Sequence, residues 1–258
     1  MRRLLRTALI ASACLLAPAT EARAADYVAA IAAIKPSIVG IATYADNRSP
    51  RLRVAGTGFA VGDGLHVVTN AHVVAPALEP NERWVVVRPT GATGAEVRAV
   101  LRTTPRPERD IALLQVAEPA LPALRLGDSD TLADGREMAF TGFPLGLIMG
   151  LYPVTHRAFL AGVVPFSVPP LRGAQLTPES IKTRRQGNFT VLQLDATAFP
   201  GNSGSPLYDP ADRKVYGIIN MVLRGGTGTN PAEKPSGITF AVPARHIAEL
   251  LTAQGLTP

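Results

Sequence analysis

The feature that most limits how this chain can fold is its division into short apolar runs. Aliphatic and β-branched stretches alternate with clusters of Gly, Pro, Asp and Asn from Ser37 to Val242. Runs of this length bounded by turn formers read as strands. Six lie in the first half, at 37–45, 53–61, 65–70, 84–88, 96–103 and 111–117. Six more lie in the second, at 136–141, 158–166, 190–195, 206–209, 215–223 and 237–242. The connector Glu118-Pro119-Ala120-Leu121-Pro122 separates the two sets. Such spacing suits small closed barrels, so the expected fold is an all-β double barrel. A leading helix is expected over residues 25–36, ending at Pro36. A closing helix is expected from Pro243 to Ala253, with Pro243 near its first turn.

The first 24 residues form a different kind of segment. Arg2, Arg3 and Arg6 precede a mostly apolar run from Ala8 to Pro18, and Ala22-Arg23-Ala24 fits a small-x-small cleavage site. This pattern is that of a bacterial-style secretory signal peptide, too short for a stable membrane span. The expected organisation is therefore a signal peptide (1–24), a first barrel (25–122) and a second barrel with its closing helix (123–258). The product is expected to be exported, either periplasmic or secreted, with no stable membrane insertion once the leader is removed. Cys14, the one cysteine, lies in the leader, so the mature chain would be stabilised by core packing without disulfides.

Charge excludes other classes. The leader holds four arginines and one acid, so removing it lowers the net charge from +6 to +3. So small an excess argues against a nucleic-acid partner. The most compact basic tract, Lys182-Thr183-Arg184-Arg185, is read as a solvated part of the long loop from about Ser167 to Asn188. No His, Cys and Asp residues cluster at ligand spacing, so neither a metal nor a cofactor is expected.

Three residues carry the chemistry. Ser203 lies in Gly201-Asn202-Ser203-Gly204-Ser205-Pro206, where flanking glycines permit a tight turn that exposes a hydroxyl beside backbone N–H groups. His72 ends the run Val68-Thr69-Asn70-Ala71-His72, and Asp110 opens Asp110-Ile111-Ala112-Leu113-Leu114. A serine needs a base to become nucleophilic, and a histidine needs a carboxylate to fix its tautomer. The chain order His72, Asp110, Ser203 is that of chymotrypsin-type hydrolases, not of subtilisins or α/β-hydrolases. Gly201 and Ser203 are the expected oxyanion-hole donors. Thr197 on the approach to Ser203, with Ile219, Asn220 and Met221 on the facing strand, is expected to line a neutral specificity pocket. Each residue taken singly has an ordinary structural reading, as do His66, His156 and His246. Asp63, Asp128 and Asp130 read as turn formers.

Taken with Gly56-Thr57-Gly58-Phe59 and Gly142-Phe143-Pro144-Leu145-Gly146, these motifs resemble the Deg/HtrA branch of trypsin-like serine peptidases over roughly residues 37–243. The resemblance implies a chymotrypsin-like double barrel in which His72 is the base, Asp110 its orienter and Ser203 the nucleophile. The chain ends at Pro258, so the PDZ domain usual in that branch is not expected to follow. Ser205 replaces the branch's usual second glycine, and Gly-Asn-Ser-Gly-Ser-Pro is similar to the glutamyl endopeptidases. Their glutamate-reading histidine aligns with Ile219, so glutamate specificity is not implied. Asn202 stands where pancreatic-type peptidases carry an acid that pairs with a freed N-terminus, so no such activation is expected. The implied partners are unfolded or flexible polypeptides. The alternative is a weak or inactive barrel that binds peptides or a protein.

Overall fold

A computed structural model describes residues 26–91, 94–146, 150–165, 189–224 and 235–258. The leader with Cys14, and the whole 167–188 loop with its basic tract, lie outside these residues. The first barrel is built from β1 (Ile38–Ala45), β2 (Leu52–Val61), β3 (His66–Thr69), β4 (Glu82–Thr90), β5 (Gly94–Arg106) and β6 (Ile111–Val116). It closes in the order β1-β2-β3-β6-β5-β4. The second comprises β7 (Glu137–Gly142), β8 (Val154–Pro165), β9 (Thr190–Asp195), β10 (Pro206–Tyr208), β11 (Val215–Arg224) and β12 (Pro235–Pro243). It closes as β10-β11-β12-β9-β8-β7. Every pairing within the two ladders is antiparallel. Closure leaves neither sheet an open edge, the usual liability of strands without partners.

The barrels share a core. Phe59 and Ile38 from the first pack with Phe143, Tyr208, Ile218 and Val242 from the second, all fully buried. Full burial of one such side chain contributes about 1.5–3 kcal/mol. Two helices cover the same core: α1 (Tyr27–Ile34), through Ala30 and Ile34, and α3 (Arg245–Ala253), through Ile247, Leu250 and Leu251. Asp26 caps α1 by accepting from the Ala29 N–H at 3.0 Å. The segment just after the connector bonds to both barrels, with Leu124 N–H donating to Ala60 and Gly127 N–H donating to Val215. A second core, with Phe140, Leu160, Leu192, Leu194 and Leu207, fills the second barrel.

Two expectations need correction. Pro243 does not start the closing helix. It ends β12 opposite Gly217, and the helix begins at Arg245. His72 does not follow directly from a strand but lies in the single helical turn α2 (Ala71–Val74). Four residues are too few for a helical period to show in sequence.

The His156 ring on β8 stacks on Phe140 with centroids 4.8 Å apart and faces Phe199 at 6.3 Å. Its Nε2 is buried with no hydrogen-bond partner among the described residues, and burial holds its pKa below the ordinary histidine value. The native ring is thus neutral where an unfolded one begins to take up protons. The stabilising contribution is complete above about pH 6.5 and declines as the pH falls toward the depressed native value. His246 is shifted in the same direction, burial outweighing its pairing with Glu249. The urea midpoint should therefore fall between about pH 7 and pH 5, and less steeply in His156→Phe, which keeps the stack. Parallel pH profiles for the two proteins would rule out His156 as a source of the acid sensitivity.

Candidate active site

The site forms where the barrels meet. On the first barrel, a short 3-10 turn (Pro107–Arg109) delivers Asp110 in the left-handed region, at φ 50° and ψ 43°. Aspartate tolerates this conformation better than most side chains. The turn aims both carboxylate oxygens at α2. Oδ1 accepts the His72 backbone N–H at 2.8 Å, and Oδ2 lies 2.6 Å from His72 Nδ1. Asn70, the residue before α2, donates its amide to the Asp110 carbonyl at 3.0 Å. The histidine is thus held at its backbone and at its ring. With Nδ1–H committed to the carboxylate, Nε2 is left as the lone-pair nitrogen. His72 is half exposed (49%) and Asp110 more covered (25%), an arrangement open to a substrate on one side.

The second barrel supplies the turn between β9 and β10. Gly201 has φ +97° and Gly204 φ +90°, values that suit only glycine without strain. A Cβ on Gly204 would fall 1.9 Å from the Thr57 carbonyl oxygen. The Pro200 carbonyl accepts the Leu145 N–H at 2.6 Å. Peptide planarity then directs the Gly201 N–H the opposite way. Among the described residues, neither the Gly201 nor the Ser203 N–H donates to a protein acceptor. The Ser203 hydroxyl donates to the Asn220 carbonyl at 3.2 Å and makes no hydrogen bond to His72.

The structure separates the expected pocket residues. Asn220 meets Ser203 through its carbonyl, and Thr197 is half-buried six positions before the serine. Ile219 is 1% exposed and packs in the second barrel's core. Met221 pairs through its backbone with Phe240. Of the other histidines, His66 pairs with Asp63 at 2.8 Å, and Asp63 and Asp128 each accept a backbone N–H within their own turns. Among the described residues, no three His, Cys, Asp or Glu side chains gather as metal ligands would.

Sequence reading gave Thr57 no role, yet it ties the two halves of the site together. Fully buried on β2, its N–H donates to the Ser203 carbonyl at 2.8 Å and its hydroxyl to the Gly201 carbonyl at 2.6 Å. The same hydroxyl accepts the Phe143 N–H at 3.0 Å, and the Thr57 carbonyl accepts the Thr69 hydroxyl at 2.7 Å. Its signal in sequence was a hydroxyl residue between two glycines in a run that is otherwise apolar from Val54 to Val61. Nearby, the side chains of Asn202 and Ser205 are buried without hydrogen-bond partners among the described residues. A Cβ on Gly142 would come within 2.0 Å of the Ser205 hydroxyl, so only glycine leaves room for it there.

Two closed six-stranded barrels with a His–Asp pair and a glycine-flanked serine at their junction define the chymotrypsin-like class. The chain matches the trypsin-like peptidase domain family over residues 56–218, and it belongs to that family. Its relatives are of the DegP/HtrA type. A probable periplasmic serine endoprotease, DegP-like, from Pseudomonas fulva (strain 12-X) is 31% identical over 203 residues, 78% of this chain and 35% of that protein. The chain therefore spans about a third of that relative's length. Among solved structures, the HtrA-type protease AlgW with a tripeptide superposes with a TM-score of 0.62 at 22% identity, covering 89% of this chain and 64% of that one. The Rv3671c protease of M. tuberculosis in its active form gives 0.60 at 23%, covering 89% of this chain and 85% of that one. At these identities the likeness to solved structures is one of fold.

Replacing Thr57 by Val keeps the shape but leaves the Gly201 carbonyl and the Phe143 N–H without partners, a cost of about 1–3 kcal/mol for each buried group. Thr57→Val should lower the urea midpoint and slow the labelling of Ser203 by a fluorophosphonate, whereas Thr57→Ser should preserve both. Wild-type labelling in Thr57→Val would show that the clamp does not position the serine.

Proposed function

We propose that this chain is an exported serine endopeptidase that cleaves unfolded or flexible polypeptide segments through His72, Asp110 and Ser203. The observation that carries the reading is the two-point hold of Asp110 on His72, at 2.8 and 2.6 Å. That hold fixes the tautomer in which Nε2 can take a proton. Ser203 must first turn its hydroxyl from the Asn220 carbonyl toward His72, and catalytic hydrogen bonds commonly align only once substrate is bound. Attack on the substrate carbonyl then gives a tetrahedral oxyanion and, after loss of the amine, an acyl-enzyme. The free N–H groups of Gly201 and Ser203 suit the oxyanion, and losing one such donor costs about 3–4 kcal/mol in comparable enzymes.

The divided site supports the domain reading, with 25–122 supplying the base and orienter and 123–258 the nucleophile. Export rests on the leader's charge and hydrophobic pattern and on a relative named as periplasmic. Among the described residues no helix is long and apolar enough to cross a membrane. No cofactor enters the mechanism, because each proton and charge has a protein group to hold it.

Ser203→Ala and His72→Ala should each abolish most casein hydrolysis without lowering the urea midpoint. Asp110→Asn should reduce kcat by about 10⁴, since an amide favours the wrong histidine tautomer. Undiminished hydrolysis by purified Ser203→Ala would refute the assignment of the nucleophile, and no hydrolysis by the wild-type protein would leave the barrels as a peptide-binding scaffold.

A further inference from the structure

We infer that the site selects substrates carrying an acidic side chain just after the scissile bond, and that Arg53 reads it. The inference rests on the peptidase reading and extends it to the leaving half of the substrate. A cavity of about 420 Å³ opens beside the nucleophile turn. Pro50, Leu52 and Val54 of the β1–β2 hairpin form one wall, and Leu145 with Pro200 and Gly201 forms the other. The cavity thus begins at a proposed oxyanion donor.

Hydrogen bonds decide which half of a substrate it would take. The Gly204 N–H donates to Ile219 on β11, while the Ser203 carbonyl accepts from Thr57 on β2. The nucleophile turn therefore lies between β11 and β2. The β11 side, with Asn220 and Thr197, is where residues before the scissile bond are proposed to bind. The cavity is bounded by β2 and its hairpin, so it lies toward the residues that follow the bond.

Its chemistry is aliphatic with a cationic rim, and among the described residues no acid lines it. Arg48 lines it too, but its guanidinium is occupied by the hairpin itself. It donates to the carbonyls of Thr43, Pro50 and Arg51, to the Thr43 hydroxyl and to Glu82. Arg48 shapes the wall and has little left to offer a ligand. Arg53 is exposed on β2 and has no ion pair or hydrogen bond among the described residues. A glutamate satisfies both features at once, its methylenes against Val54 and Leu145 and its carboxylate on the Arg53 guanidinium. A lysine in that place meets an unpaired like charge.

Exposed ion pairs of this kind are worth roughly a two- to fivefold preference, and they weaken as salt shortens the screening length. The test uses a fluorescent peptide from a casein segment, with Glu, Gln or Lys scanned through its C-terminal half. Binding is measured by anisotropy on full-length Ser203→Ala, and kcat/KM on the otherwise wild-type protein, at low and high salt. The expected order is Glu over Gln over Lys by roughly two- to fivefold per step at one or two positions, compressed by salt. Adding Arg53→Gln should equalise Glu and Gln, and Arg53→Glu should move the preference to Lys. Equal binding of Glu and Gln peptides, or a Glu preference that survives Arg53→Gln, overturns the inference. Hydrolysis without that preference overturns the inference alone. The binding order without hydrolysis overturns the peptidase reading and leaves the acidic selectivity standing.

Discussion

The hydrogen bonds of Thr57 hold the site together across a boundary that neither barrel spans alone. His72 and Asp110 belong to one barrel and Ser203 to the other, so any sliding between barrels would separate them. A buried threonine on β2 prevents this by gripping two carbonyls of the nucleophile turn, those of Gly201 and Ser203. Its hydroxyl also accepts from Phe143, which links the turn after β7 to the same point. In a low-dielectric core each of these bonds is expensive to break, because the freed groups have no water to turn to. The shared core around Phe59, Phe143 and Tyr208 supplies the apolar burial that keeps the clamp closed.

The glycines follow from this closeness. Gly204 approaches Thr57 so nearly that a methyl group cannot fit, and Gly201 sits at a φ that turns its N–H away from the Leu145 loop. The turn therefore gives up side chains at both positions in exchange for two free N–H groups beside a serine. His72 is restrained differently, by one carboxylate that takes its backbone and its ring together. One half of the site thus depends on charge-assisted contacts and the other on backbone geometry.

Much of this was legible in sequence because strands with β-branched cores announce themselves between Gly, Pro and Asp turns. The twelve expected strands correspond one to one with those observed, with differences mainly at their ends. β5 and β8 run longer than expected, through residues whose apolar alternation is weak, such as Thr104 to Arg106 and Val154 to Arg157. The helical turn carrying His72 was too short to leave a period. The pairing of His72 with Asp110 follows the order and flanking runs that marked them as partners. Thr57 escaped notice because its hydroxyl's partner is 144 residues away, and no local pattern encodes such a contact.

The most direct measurement is a crystal structure of the full chain inactivated by a small peptide phosphonate. The account predicts phosphorus bonded to Ser203 Oγ and a phosphoryl oxygen about 2.7–3.1 Å from the N–H nitrogens of Gly201 and Ser203. It also predicts His72 still paired with Asp110, and the Thr57 hydroxyl still on the Gly201 carbonyl. An unmodified Ser203, or an adduct whose oxygen meets neither N–H, would contradict it.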